Sequence, residues 1–183
     1  MSVKPFYANW ARYNELLTTA MGGMSDEDLA LTAPVLDTSG TAHWPIWAIA
    51  AHAAGARVYW LCIVLGEPGL ETAAAFVDSA TSEGWEDDLA TPRSADEIAS
   101  ALTTSWAIVE GCLERWTPAM VEEAMPVDTP RGVVFHTRQS ILLRLINHDA
   151  YHAGEVALIQ GMHGRPQLDL WPPGAHTVPG PGD

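Results

Sequence analysis

The segment 141–163, ILLRLINHDAYHAGEVALIQGMH, constrains the fold most strongly because it has helical periodicity and carries two histidines one turn apart. His148 and His152 stand at i and i+4, and on a helix of about 100° per residue Glu155 falls between them in angle, so the three share one stripe. Two imidazoles at this spacing can bind one metal ion at about 2.0–2.1 Å. Two ligands rarely hold a catalytic metal, so we expect a third ligand from another part of the chain.

Three further segments repeat apolar residues at three- and four-residue spacing, which is the pattern of an amphipathic helix. The last of the three opens with Ser94 and Glu97, which match a capping box. Glycine or proline follows the expected end of each segment. Together these patterns predict an all-α protein, a four-helix bundle with short irregular connections. The predicted helices span residues 5–21, 41 or 43 to 65, 94–116 and 141–163.

The connections and the C-terminal region are rich in turn-forming residues. Residues 129–132, Thr-Pro-Arg-Gly, predict a turn between two short extended pieces. A short helix is expected near residues 71–80, followed by an exposed acidic loop at residues 83–88. Proline and glycine near the C-terminus are too frequent for the last helix to continue. We therefore expect a bundle domain at residues 1–165 and a Pro/Gly-rich tail at residues 166–183.

His52 is the candidate for the third ligand, because it stands in the middle of the second predicted helix. Ala48 and Ala56 lie one turn before and after it and leave room around the imidazole. His43 lies nine residues earlier, about 180° around the same helix, and therefore faces the other way. His136 precedes the last helix, and His163 lies about 16 Å along it from His152. Bundles commonly build metal sites from inward-facing side chains of neighbouring helices, which favours His52.

Three more residues near these histidines are candidates for the site. Glu155 could be a fourth ligand, an acceptor that orients an imidazole N–H, or a general base, with an ordinary salt bridge as the alternative. Tyr59 continues the face of the second helix that carries His52, and Tyr151 is adjacent to His152. We consider both tyrosines as lining of a pocket, with core packing as the alternative.

Composition excludes several classes of partner. The chain has 183 residues, 23 of them acidic and 9 basic, for a formal net charge of −14. Nucleic acids and anionic membranes bind proteins through basic patches, so neither is expected as a partner of this acidic chain. No apolar run reaches the length of a membrane span and no signal peptide is recognisable, so we expect a cytoplasmic protein. Cys62 and Cys112 stand singly in apolar helical patterns and are expected to be reduced core thiols.

The two histidine motifs carry a family resemblance. A histidine within AIAAHAAGARVYW, followed about a hundred residues later by HxxxHxGE at residues 148–155, resembles the DinB-like superfamily (DinB/YfiT-like) of bacterial metalloproteins, over nearly the whole chain. The resemblance implies a four-helix bundle, a homodimer, and a divalent metal held by His52, His148 and His152. Some relatives are thiol-dependent transferases or isomerases that use mycothiol, bacillithiol or glutathione, so the resemblance also implies a low-molecular-weight thiol.

Three functions remain open from the sequence. The first is a metal-dependent thiol S-transferase or isomerase acting on a small molecule, with Zn or Ni favoured and Fe or Cu also suited to three histidines. The second is a non-catalytic bundle that binds a metal or ligand in a stress response. The third is a metallohydrolase, because HDAYH differs from the HExxH of zinc proteases by the shorter acid at Asp149.

Overall fold

The protein is mostly helical and has one small antiparallel sheet among the residues that the structure describes. This computed structural model describes residues 1–34, 43–76, 88–174 and 177. Short 3₁₀ turns occupy Lys4–Tyr7 and Leu70–Phe76, and a π-helical segment occupies Tyr59–Val64. The helices are α1 (Ala8–Gly22), α2 (Asp26–Leu29), α3 (Ile46–Val58), α4 (Ala95–Arg115), α5 (Pro118–Glu122) and α6 (Arg138–Met162), and the strands are β1 (Ala124–Thr129) and β2 (Gly132–Thr137).

Helix α3 lies at the centre of the packing. It contacts both α4 and α6, and α4 also contacts α1. Every residue of α3 except His52 is buried, as expected for a helix that is apolar all round. Within the described ranges, Ile46–Val64 is the one helix long and apolar enough to cross a membrane, and 78% of its most apolar window is buried inside the protein. That burial is the usual state of a core helix.

The second predicted helix differs from the prediction at both ends. Helix α3 begins at Ile46, after the extended Pro45, and residues 41 and 42 lie outside the described residues. From Tyr59 the chain continues with wider π-helical turns, in which each hydrogen bond spans one more residue than in an α-helix. Tyr59, on the face predicted to carry His52 inward, is 41% exposed, and Ile63 of the same π-helical segment is 40% exposed.

The predicted turn and the predicted capping box are confirmed. Strands β1 and β2 form a hairpin in which Thr129 pairs with Gly132, and Gly132 has a φ of 112°, which favours glycine. Ser94 and Glu97 form the predicted capping box. A second capping box at Thr137 starts α6 three residues before the predicted position. The strict all-α prediction is corrected by this hairpin, whose two strands bond each other through the backbone.

Some predictions fall partly outside the described residues. The short helix expected near residues 71–80 corresponds to the 3₁₀ segment Leu70–Phe76, whereas residues 77–87, which include most of the predicted acidic loop, are not described. In the tail, the Leu168 amide donates to Gln160 Oε1 at 2.6 Å, and the Trp171 ring lies 5.6 Å from the Tyr13 ring. The division into a domain and a tail stays a prediction.

A buried ion pair connects three of the long helices. Arg57 of α3 is fully buried and bonds the carboxylate of Asp149 of α6 twice, at 2.8 Å from Nη2 and 3.3 Å from Nε. From α1, the Trp10 indole donates to Asp149 Oδ2 at 2.8 Å, and Asn14 Oδ1 accepts from Arg57 Nη1 at 2.7 Å. Buried charges are tolerated when they are paired and hydrogen-bonded, so this network fixes how the helices align.

We predict that Asp149→Ala lowers the free energy of unfolding by about 3–5 kcal/mol, because it leaves the Arg57 charge buried without its partner. Urea denaturation followed by circular dichroism measures the change. The matched control is Glu15→Ala, which removes the partner of Arg12 in an exposed pair and should change stability by less than about 1 kcal/mol. Equal effects of the two substitutions would contradict a structural role for the buried pair.

Candidate metal centre

The three predicted histidines meet at one point between α3 and α6. His148 Nε2 lies 2.9 Å from His52 Nε2 and 3.3 Å from His152 Nε2. One nitrogen from each ring falls within 4.8 Å of the other two, and all three side chains are half-buried. The ring centroids are 4.4–4.9 Å apart. The structure therefore brings together residues that are 96 positions apart in the chain.

Local structure explains why these side chains converge. On α6 the i, i+4 spacing places His148 and His152 one above the other on one stripe. On α3 the neighbours of His52 are alanines, so its imidazole reaches α6 without a bulky side chain in the way. The Arg57–Asp149 pair joins the same two helices, five residues after His52 and one residue after His148. It fixes the alignment that brings the imidazoles into contact.

The geometry of the nitrogens fits a shared metal ion. Two nitrogens each bound at about 2.0–2.1 Å to one ion, at angles between octahedral and tetrahedral, lie roughly 2.9–3.4 Å apart. The two short Nε2 separations, 2.9 and 3.3 Å, fall within this range. Three neutral imidazoles with their lone pairs pointing at one position would repel each other, and a cation at that position removes the repulsion. The donor set therefore fits a divalent transition metal.

Burial keeps the central imidazole neutral. It is the main cause that lowers the pKa of His148 to about 3, and the neighbouring His152 and His52 lower it further. A neutral imidazole offers a nitrogen lone pair, which is the form that binds a metal. His148 Nδ1 is buried and has no hydrogen-bond partner among the described residues.

Glu155 is in contact with one of the histidines. Its Oε2 lies 2.9 Å from His152 Nδ1. An ionised carboxylate can only accept, so His152 Nδ1–H donates to it, and His152 Nε2 is left with its lone pair toward the cluster. A carboxylate in this position holds the ring orientation and raises the basicity of the ligating nitrogen. The contact fits the orienting acceptor and equally the ordinary salt bridge, two of the roles considered for Glu155.

Aromatic rings surround the histidines. Trp44 packs edge-on against His52 at 5.1 Å, and Tyr151 packs edge-on against His152 at 5.1 Å. Tyr151 is 71% exposed, so it borders the site on its solvent side. Tyr59 packs instead against Trp60, at 5.5 Å. The structure thus places Tyr151 beside the cluster and Tyr59 beside Trp60.

Comparisons with known proteins agree with the fold and with the family resemblance. A family model described as the DinB superfamily matches residues 6–156. The chain belongs to the DinB superfamily. A solved structure of a DinB-like protein from Bacillus cereus ATCC 10987 superimposes with a TM-score of 0.67 over 93% of this chain and 98% of that chain, at 19% identity. Similarity at this identity concerns the fold. A search of the curated proteins gave no match.

The remaining histidines of this DinB-superfamily chain lie elsewhere. The His163 Nε2 atom is 2.9 Å from the carbonyl oxygen of Thr32, and the His136 ring packs 5.4 Å from the Trp60 ring. His43 is exposed. These positions agree with the prediction that His43, His136 and His163 do not share an ion with His148 and His152.

Asp149 has a different role from the one that a metallohydrolase would require. Its carboxylate accepts from Arg57 and from Trp10 on the side of α6 that faces α1. Both oxygens are therefore engaged in the buried network, whereas the glutamate of HExxH acts as a general base at the metal. The HDAYH similarity is thus local, and the structure gives Asp149 a place in the packing of the helices.

The buried network is the feature that sequence reasoning missed. Arg57 is the one charged residue in the otherwise apolar segment AIAAHAAGARV, and a lone arginine there requires a buried partner. Asp149, in an inward position of the last helix, was the available acid. The signal was present, but the identity of the partner depends on how the helices align.

Both cysteines are buried thiols, as predicted. Burial raises the pKa of Cys62 to about 11 and that of Cys112 to about 12. Both remain protonated at neutral pH and are poor nucleophiles. A thiol that reacts at the histidine cluster would therefore have to come from outside the protein.

We predict that the metal-free protein loses stability as the pH falls below 6.5. The folded pKa of His148, about 3, lies below its ordinary value of 6.5, so the unfolded chain takes up the proton first. The stabilisation is complete above pH 6.5 and is lost toward pH 3. At pH 5 the loss is at most about 2 kcal/mol.

Urea denaturation at pH 7 and pH 5 measures this change, with His148→Gln as the comparison. The variant cannot take up the proton, so its stability should fall less between the two pH values. Identical losses in the wild type and the variant would contradict the assignment of a depressed pKa to His148.

Proposed function

We propose that this protein is a divalent-metal-dependent enzyme of the DinB superfamily, a thiol S-transferase or isomerase that acts on a small molecule. The observation that carries the proposal is the convergence of three imidazole nitrogens, at 2.9 and 3.3 Å, from two different helices. In this proposal His52, His148 and His152 hold the ion within a four-helix bundle formed by α1, α3, α4 and α6. The donor set favours Zn or Ni, and Fe or Cu also suit it.

Each residue of the site has a part in the proposed chemistry. The three imidazoles hold the ion, and the Glu155 carboxylate keeps the His152 ring oriented through its Nδ1–H. The ion, when bound, supplies a Lewis acid with open positions for a thiolate or water. Tyr151 lies at the solvent side, where an entering small molecule would pass. A low-molecular-weight thiol is the proposed nucleophile, because both protein thiols are buried and protonated.

A metal-content experiment tests the proposed ligands. Protein purified without a histidine tag should contain nearly one equivalent of metal by elemental analysis. His52→Ala, His148→Ala and His152→Ala should each remove most of it, because each deletes one of three ligands. His43→Ala and His163→Ala are the matched controls and should retain the metal. Equal loss in all five variants, or no metal in the wild type under any loading condition, would disprove the three-histidine centre.

Glu155→Gln separates orientation from ligation. The amide keeps an oxygen acceptor but no charge, so we expect metal affinity to fall by about 10-fold rather than to disappear. The metal-loaded protein is then mixed with glutathione or another low-molecular-weight thiol and an electrophile, and thioether formation is followed. Turnover that depends on the metal supports the enzyme. Stoichiometric metal without turnover with any thiol would favour a non-catalytic metal-binding protein.

We also propose that the protein is a cytoplasmic homodimer. Exposed apolar side chains near the N-terminus and in the π-helical segment support an interface, with Phe6 75% and Ile63 40% exposed. Light scattering coupled to size exclusion should give twice the mass of one 19.7 kDa chain. Phe6→Ser and Ile63→Ser should lower that mass toward one chain at micromolar concentration. A monomer in the wild type would contradict the proposal.

A further inference from the structure

Arg144 differs from nearly all the other basic residues of this acidic protein. Among the nine lysines and arginines, Arg131 and Arg144 have no carboxylate partner within the described ranges. Arg131 stands in the turn of the hairpin, whereas Arg144 stands on α6. The other seven, each paired with at least one carboxylate, are Lys4, Arg12, Arg57, Arg93, Arg115, Arg138 and Arg165.

The Arg144 guanidinium is held in place by an aromatic ring. Its central carbon lies 4.4 Å from the centroid of the Trp60 ring, and the residue is exposed. Trp60 belongs to the π-helical segment, and His136 packs against the ring of Trp60 at 5.4 Å. A guanidinium over an aromatic face keeps its N–H groups free at the edge, where they can bind a carboxylate through two parallel hydrogen bonds.

This cation stands beside the histidine cluster. Arg144 precedes His148 by one turn of α6, so both project from the same stripe, about 6 Å apart along the axis. Trp60 follows His52 by eight residues, which is about 12 Å along its own helix. The positive charge of Arg144 is also among the causes that lower the pKa of His148. The Arg144–Trp60 pair is therefore offset from the histidines by about 6 Å along α6 and about 12 Å along α3 and its π-helical continuation.

We propose that Arg144, held over Trp60, binds the carboxylate of an anionic substrate whose other end lies at the histidine cluster. This inference rests on the proposed function, because it assigns the substrate class of the same site. The substrate would carry its carboxylate about 6–12 Å from the group that binds the metal. A protein with a net charge of −14 repels anions in general, so an unpaired cation at the site provides the local attraction that an acidic small molecule requires.

Two matched thiols test the proposal on cobalt-substituted protein. 6-Mercaptohexanoate and 6-mercaptohexanol have the same chain length and differ in the carboxylate. Thiolate binding is followed by the thiolate-to-cobalt charge-transfer absorption. The wild type should bind the hexanoate at least 10-fold more tightly than the hexanol. In Arg144→Gln the affinities for the two thiols should agree within 2-fold, and the affinity for the hexanol should stay at the wild-type value. The control Arg131→Gln should keep the wild-type preference for the hexanoate. A preference retained in Arg144→Gln overturns the proposal.

A second measurement distinguishes failure of this inference from failure of the proposed metal centre. The arginine Nε–H resonances of the metal-free protein are recorded by NMR, and that of Arg144 is assigned from its absence in Arg144→Gln. Addition of hexanoate should shift this resonance and leave that of Arg131 in place. If the protein bound no cobalt, the metal proposal would fail, yet this shift would still support the anion site. An unmoved Arg144 resonance overturns the anion site whether or not cobalt binds.

Discussion

Arg57 carries a full positive charge at a position with no exposure, and the alignment of the long helices depends on how that charge is satisfied. Asp149 supplies the opposite charge from α6, and side chains of α1 complete the hydrogen bonds. Apolar faces alone would permit helices to slide or rotate relative to each other with little loss of buried area. A buried guanidinium with directional hydrogen bonds does not permit such sliding, because a shift of one helical turn would leave the guanidinium unpaired.

The histidine cluster benefits directly from this alignment. His52 and Arg57 belong to α3, and His148 and Asp149 are neighbours on α6. The Arg57–Asp149 pair therefore also sets the position of His52 relative to His148. The two faces of α6 have opposite electrostatic requirements. Toward α1 a charged pair is buried and neutralised, whereas toward His52 the imidazole of His148 is kept neutral by burial. A neutral nitrogen cluster of this kind is suited to a cation that arrives from outside.

The basic residues of the protein differ in how their positive charge is balanced. Most cations of the protein are neutralised by nearby carboxylates, which leaves a strongly acidic molecule. Arg144 is held by an aromatic face rather than by an acid, and it lies on the same stripe of α6 as the histidines. Positive charge is thus retained on α6, the helix that supplies both the proposed metal ligands and the proposed anion contact.

The sequence by itself determined the features that depend on local geometry. The i, i+4 histidines and Glu155 share a stripe because the α-helix has a fixed pitch, and Ser94, Thr129 and Gly132 mark a cap and a turn because their backbone requirements are local. His52 could be predicted as the third ligand because it stands in the middle of a long helix other than the one that carries His148 and His152. The tertiary structure alone decided the partner of Arg57, the π-helical turns that begin at Tyr59, and the placement of Arg144 over Trp60. These contacts join residues that are distant in the chain, and their geometry is set by the packing of whole helices, which no local pattern encodes.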